Sequence, residues 1–162
     1  HPNEQGIKWF IEECWGNVRQ STPQVQAYFA GRYMPQWLKN TNVEGIHIVG
    51  EVEDSIRFMT SKQIMVVPLL SGSGIRIKII EAMSIGKTVV ATSIAAEGIM
   101  YEDKKNILIA NTPQEFADAI KFCVENPLES KRIGEEAYKL IAEKYSNDQV
   151  VNQLLALYQQ IL

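Results

Sequence analysis

Pro68-Leu69-Leu70-Ser71-Gly72-Ser73-Gly74-Ile75-Arg76 closes an apolar, β-branched run that begins at Ile64 and leads straight into a second apolar run, Ile75 to Ile85, of helical length. A strand that ends in two glycines and two serines and passes at once into a helix is the repeating step of an open parallel sheet, where each strand returns through a crossover helix. Ligands of such sheets bind beyond the carboxyl ends of the strands. The glycines let backbone approach a ligand closely, and the free N–H groups of a helix start favour an anion, so the turn reads as a phosphate cradle. It is not the dinucleotide fingerprint G-x-G-x-x-G, because position 77, where the third glycine would fall, is Ile.

The alternation continues on both sides of this stretch. Val25 to Ala30, Ile46 to Val49, Ile64 to Leu70 and Thr88 to Thr92 are short runs rich in β-branched or aromatic residues, and each reads as a strand buried on both faces. A fifth short run, Ile107 to Ala110, ends the sheet. Between the strands lie Pro35 to Asn40, Glu53 to Ser61 and Ile75 to Ile85, the last two long enough to be crossover helices. The expected class is α/β with a doubly wound parallel sheet. Residues 1–162 read as a single domain, since no repeat, low-complexity tract or linker interrupts them.

Helices are expected at both ends. Ile7, Phe10, Ile11, Cys14, Trp15 and Val18 recur at helical spacing, which predicts a helix over 4–19 with no strand before it. After Ala110 the pattern is wholly helical. Thr112-Pro113-Gln114-Glu115 offers an N-cap, a Pro at the first helical position and a Glu three residues after the cap, and Asn126-Pro127-Leu128-Glu129 offers the same three. Ser146 with Gln149 then caps a last helix carrying Val150, Leu154, Tyr158 and Ile161.

The 46% apolar and 22% charged content describes a globular domain with a full core, and a net charge of -3 leaves no basic field for nucleic acid. Cys14 and Cys123 both fall on apolar helical positions, as free thiols in a reducing, cytoplasmic compartment do. No run approaches the length of a membrane span, while a peripheral membrane contact stays open. Starting without Met and directly in a helix, the chain reads as a piece of something longer.

Glu81 lies eight residues after Ser73 in the run read as one helix, a span of about 12 Å, which is the reach from a sugar diphosphate to the nucleoside's ribose. The competing reading of Glu81 is an i, i+3 ion pair with Lys78. Arg76 and Lys78 are two residues apart and so on different sides of a helix, which makes Arg76, in the first turn, the better phosphate partner. His47 alternates within an apolar strand and reads as a satisfied structural histidine. Trp9, Trp15 and Trp37 read as core.

From Pro68 to Thr92, the sequence resembles the signature of the group 1 glycosyltransferases (family 4, GT-B fold): a Gly-rich turn, the Glu81-Ala82-Met83 helix, Gly86 and the next strand. Supporting matches are Pro2-Asn3 with Gly6, Tyr28-Phe29-Ala30-Gly31, Val49-Gly50 with Val52, Ala96-Glu97-Gly98, and Glu143-Lys144-Tyr145-Ser146. The resemblance implies the C-terminal, nucleotide-sugar-binding domain of a two-domain enzyme, with the sheet's first strand absent from the chain. Of the family's two glutamates, the second falls at Glu81, where it accepts hydrogen bonds from the donor ribose. The first, facing the donor sugar, falls at Ser73, and a subset of similar sequences also reads G-S-G with a following Arg and Lys. Gly74 and Ile75 would meet the diphosphate or sugar through their backbone, and Gly50, Glu51 and Val52 would flank the base. A family lysine falls at Gln5 and is absent.

The implied reaction is sugar transfer from a UDP-, GDP- or ADP-linked donor to a glycan, lipid or other acceptor. It proceeds with retention at the anomeric carbon and without a metal or cofactor, and points to polysaccharide biosynthesis. Helix N–H groups and Arg76 would stabilise charge on the leaving diphosphate. Catalytic groups and the acceptor site are expected in an N-terminal domain, so this domain alone is expected to be inactive. A sugar-nucleotide epimerase of the same architecture is the alternative. A phosphoacceptor signalling module is disfavoured, because Gly31, Gly50, Leu70 and Ser93 stand at the strand ends with only Glu51 near them. The gap left by the absent strand leads to two expectations: direct pairing of the strands at Val25 and Ile64, or a partner strand from another chain.

Overall fold

In the computed structural model, which describes residues 1–145, the strand β4 (Thr88–Ala91) lies at the centre of a three-stranded sheet and is buried at all four positions. Period-two alternation sends Val90 to one core and Val89 and Ala91 to the other, which is why this strand is apolar throughout. β3 (Ile64–Val67) pairs with it in parallel, Ile64 opposite Thr88, and β5 (Leu108–Ile109) pairs on the other side, Val90 opposite Leu108. β1 (Ala27–Ala30) and β2 (Ile46–Gly50), with the short helix α3 (Gln36–Lys39) between them, form a separate parallel pair with Ala27 opposite Ile46. The helix expected from Ser146 onward lies outside the described residues.

Of the four strands expected to be buried on both faces, β1 and β2 are not. Ala27, Phe29, Ile46 and Ile48 turn to the core, whereas Tyr28, His47 and Val49 on the other face are exposed. Among the described residues, only the short α4 (Ser55–Thr60) returns along that side. Lys62 at its end lays its ammonium 3.7 Å over the Tyr28 ring, and His47 stacks on the same ring at 4.7 Å while bonding Gln26 at 2.8 Å.

The first helix packs its apolar stripe into the core between the sheets. It comprises α1 (Pro2–Trp9), a π-helical turn (Phe10–Cys14) and α2 (Trp15–Ser21), longer at both ends than the expected 4–19. Phe10, Cys14, Trp15 and Val18 bury one stripe against Phe116, Ile120 and Cys123 of α6 (Pro113–Glu125). Burial pushes the Cys14 thiol up to about 12, with neighbouring Glu13 adding to it, and pushes Cys123 up as well, so both act as small apolar groups.

The expected closure of the strands at Val25 and Ile64 is not observed: β1 pairs with β2, β3 pairs with β4, and no strand pairing joins the two sheets among the described residues. The reason lies in the first helix. Ala27 and Phe29 of β1 and Ile64 and Val66 of β3 pack on the same aromatic cluster, whose width sets their spacing. Trp15 Nε1 donates to the Glu44 carbonyl at 2.9 Å and fixes the helix to β2, while Gly6 lies against the Pro68 carbonyl and fixes it to β3.

On the opposite face, α5 (Ile77–Ser84) and α7 (Pro127–Lys144) cover β4 through Ile79, Met83, Ala137 and Ile141. The capping box at Thr112 forms as expected, with Glu115 held below the ordinary carboxylate range by the N–H groups of Asn111 and Thr112. The second box does not: Asn126 turns its side-chain amide back to the Phe122 carbonyl at 3.0 Å, serving the end of α6 rather than the start of α7.

α7 crosses β4 at glycine. A Cβ on Gly134 would collide with the Gly86 carbonyl and come within 3.2 Å of the Thr88 nitrogen. Gly134→Ala is therefore expected to destabilise the fold by about 1–3 kcal/mol, seen as a lower urea midpoint at unchanged slope. An unchanged midpoint would refute this close crossing.

Candidate functional site

The Gly-rich turn after β3 is a loop of six residues, Ser71–Arg76, and α5 begins at Ile77 rather than Ile75. Gly72 at φ 118° and Gly74 at φ 82° are in the left-handed region, where only glycine is unstrained. At Gly74 no atom lies within 4 Å of where a Cβ would stand, so its backbone is open to an incoming group. Ser73, Gly74 and Ile75 are exposed, with Ser73 carrying no charge toward solvent.

Arg76 is the N-cap of α5, extended at φ -86° and ψ 97°, and not a first-turn residue as expected. Its guanidinium folds back beneath the loop against Gly72, with Nη1 donating to the Ser73 carbonyl at 3.0 Å. Nε and Nη2 are buried without a hydrogen-bond partner among the described residues. An unmatched pair of guanidinium donors is costly, and an anion seated on the loop would satisfy them.

Glu81 stands one turn into α5, so the span from Ser73 is part loop and part helix, and the 12 Å helical estimate does not apply as expected. Its carboxylate meets Lys78 Nζ at 2.6 Å, the competing ion pair, and is partly shielded at 34% exposure. Lys78 also reaches Ser55 Oγ at 3.5 Å, at the start of α4. Through Lys78 the carboxylate is linked to the start of α4, which follows Gly50, Glu51 and Val52 in the chain.

Within that segment the three residues separate. Gly50 takes φ 82° and Val52 is half-buried, while Glu51 pairs with Arg32 at 2.7 Å across the ends of β1 and β2. Arg32 and Glu51 line a cleft of about 350 Å³ with Lys39 and Tyr33, the latter fully exposed at φ 54°. Gln5, in the place of the absent lysine, accepts a hydrogen bond from Ser71 Oγ at 3.2 Å, so the first helix touches the Gly-rich loop through a neutral group.

A second wall has no counterpart among the residues expected from the sequence. The segment after β4, Ser93 to Tyr101, faces Ser71 and Gly72 across a cleft of about 410 Å³. Gly98, at φ 82°, seats the Ile75 side chain, and a Cβ there would come within 3.0 Å of it. Tyr145 anchors the segment from the end of α7: its hydroxyl accepts from the Met100 N–H at 2.8 Å and donates to the Gly98 carbonyl at 3.5 Å. The sequence signals for this wall are Ala96-Glu97-Gly98 and Tyr145 themselves, which carry the family resemblance without revealing a structural role.

Residues 1–126 match the family model described as glycosyl transferases group 1. A curated relative from Klebsiella pneumoniae, described as an uncharacterized 44.6 kDa protein in the cps region, is 26% identical over 166 residues, covering 94% of this chain and 42% of its own length. S. aureus TarM, solved in a complex that includes UDP, superposes with a TM-score of 0.81 at 23% identity over 98% of this chain and 33% of its own. Anabaena HepE in complex with UDP gives 0.74 at 20% identity over 92% and 44%. The chain spans less than half the length of each of these relatives.

Tyr145 is predicted to hold the second wall. Tyr145→Phe should leave the global fold intact, cost about 0.5–1.5 kcal/mol, and accelerate amide exchange at Gly98–Met100 selectively. Uniform protection in the variant would show that the hydroxyl does not anchor this segment.

Proposed function

The chain belongs to the group 1 glycosyl transferases, and from that membership we propose that it binds the nucleotide-sugar donor of a glycosyltransferase, with a uridine diphosphate sugar as the donor. The observation that carries the reading is the pair of unpartnered Arg76 donors buried under the open Gly-rich loop at the start of α5. A diphosphate lying on Gly74 and Ile75 would meet backbone N–H groups, the helix dipole and this guanidinium together. Glu81, one turn further, is in reach of a ribose, whose hydroxyls would compete with Lys78 for the carboxylate. Gly50 and Val52 would then lie beside the base. UDP in the HepE and TarM structures and UDP-glucose in a further HepE structure support the choice of nucleotide.

In the intact protein the donor's bond between the anomeric carbon and the diphosphate breaks as the acceptor's hydroxyl oxygen bonds to that carbon on the same face, and the hydroxyl proton passes to the departing diphosphate. The negative charge arriving on the diphosphate is what Arg76 and the loop amides stabilise. The cps region named for the Klebsiella relative supports a polysaccharide acceptor. The remaining catalytic groups and the acceptor site belong to the part of the protein beyond this domain, in the cytoplasm.

Calorimetric titration with UDP, GDP, ADP and their glucose conjugates tests this reading, with UDP compounds expected to bind best. Glu81→Ala is expected to weaken UDP binding by about 1.5–3 kcal/mol, and Arg76→Ala to weaken UDP far more than uridine. Equal losses for UDP and uridine in the Arg76 variant would remove its phosphate role, and conversion of UDP-glucose to its epimer by the intact protein without acceptor would replace transfer by epimerisation.

A further inference from the structure

The cleft between the Gly-rich loop and the segment after β4 has Ser71 and Gly72 on one wall and Ser93, Glu97, Gly98 and Tyr101 on the other. Glu97 is the single charged residue on its lining among the described residues. Its backbone is held on both sides. Thr92 Oγ1, buried, donates to the Leu69 carbonyl at 2.5 Å and accepts from the Ala95 N–H at 3.0 Å, tying the segment to the exit of β3. Ala95, Ala96 and Ile99 are buried around it, and Glu97 is exposed between them. No ion pair or hydrogen bond among the described residues occupies its carboxylate.

A free carboxylate on the lining of a cleft has a chemical preference. It repels a diphosphate and so cannot serve the leaving group. Its fitting partners are neutral hydroxyls, which donate to both of its oxygens in a charge-assisted way. The opposite wall, Ser71–Ile75, has no charged side chain with which Glu97 would have to compete. The seating of Ile75 on Gly98 sets the two walls at a fixed separation, so a hexose held by its diphosphate on one wall meets the other.

We propose that Glu97 binds hydroxyls of the transferred sugar and is the specificity-determining carboxylate of the donor's sugar end. This rests on the donor reading given above. The second wall is then a sugar wall, and the Gly-rich loop a phosphate wall.

The experiment compares UDP with UDP-glucose, UDP-galactose and UDP-N-acetylglucosamine by calorimetry on the full chain, in the wild type, Glu97→Gln and Glu97→Ala. The expected result is that the preferred sugar nucleotide loses its advantage over UDP by about tenfold in both variants, while UDP itself binds as before and so reports an intact fold. An advantage unchanged in Glu97→Gln, an equal loss for UDP and the sugar nucleotide, or no sugar advantage in the wild type each overturns the assignment of Glu97. Absence of UDP binding in the wild type is a separate outcome: it removes the donor reading, and the sugar wall with it.

Discussion

The packing of one helix against two sheets sets the geometry on which the site depends. The stripe Phe10, Cys14, Trp15 and Val18 faces β1 and β2 on one side and β3 and β4 on the other, and a single aromatic cluster serves both. Phe116 meets Trp9 and Phe10 edge-on at 5.7 and 5.8 Å, the arrangement that ring quadrupoles favour. Moving β1 toward β3 would require this cluster to collapse, and close-packed cores resist such changes. The helix also touches the site directly, since Gly6 rests on the Pro68 carbonyl and Gln5 on Ser71. The sheet spacing and the position of the Gly-rich loop are therefore consequences of the same contact.

A second mechanical link runs from the far end of the chain. α7 crosses β4 at Gly134, continues to Tyr145, and through that hydroxyl holds Gly98, on which Ile75 sits. The loop that would hold phosphate is thus braced from the first helix at Ser71 and from the last described helix at Ile75. Loops that carry ligands do so best when rigid elements position them. Here neither brace uses a charged group.

The order of elements is legible in the sequence because the periods differ: helical stripes in the first and last segments, β-branched runs between, and glycine at each sharp return. Strand burial is less legible. Ile46 to Val49 is as apolar in composition as β4, yet Val49 is exposed, because cover depends on the length of α4 and not on the strand itself. The start of α5 falls two residues later than its pattern suggests, since Ile75 and Arg76 fit a helical period but Gly74 at φ 82° throws the chain out of it. At the site, Arg76 and Glu81 can be singled out from spacing. The segment from Ser93 to Tyr101 cannot, because its role arises from contacts with Ile75 and Tyr145, distant in the sequence and invisible to any local pattern.

The neutral residue at position 73 acquires a physical meaning once Arg76 is placed. Arg76 Nη1 already reaches the Ser73 carbonyl at 3.0 Å, so a carboxylate side chain at 73 would lie within reach of the same guanidinium. Such an internal pair would occupy the donors that now stand unmatched beneath Gly72. A serine cannot do this: its hydroxyl is a weak partner for a cation and costs little to leave in water. With Ser73 the loop keeps its positive charge for a ligand, and a carboxylate for sugar hydroxyls must stand elsewhere, far enough from Arg76 not to quench it. Glu97 stands on the other wall, in a segment tied to the sheet through Thr92.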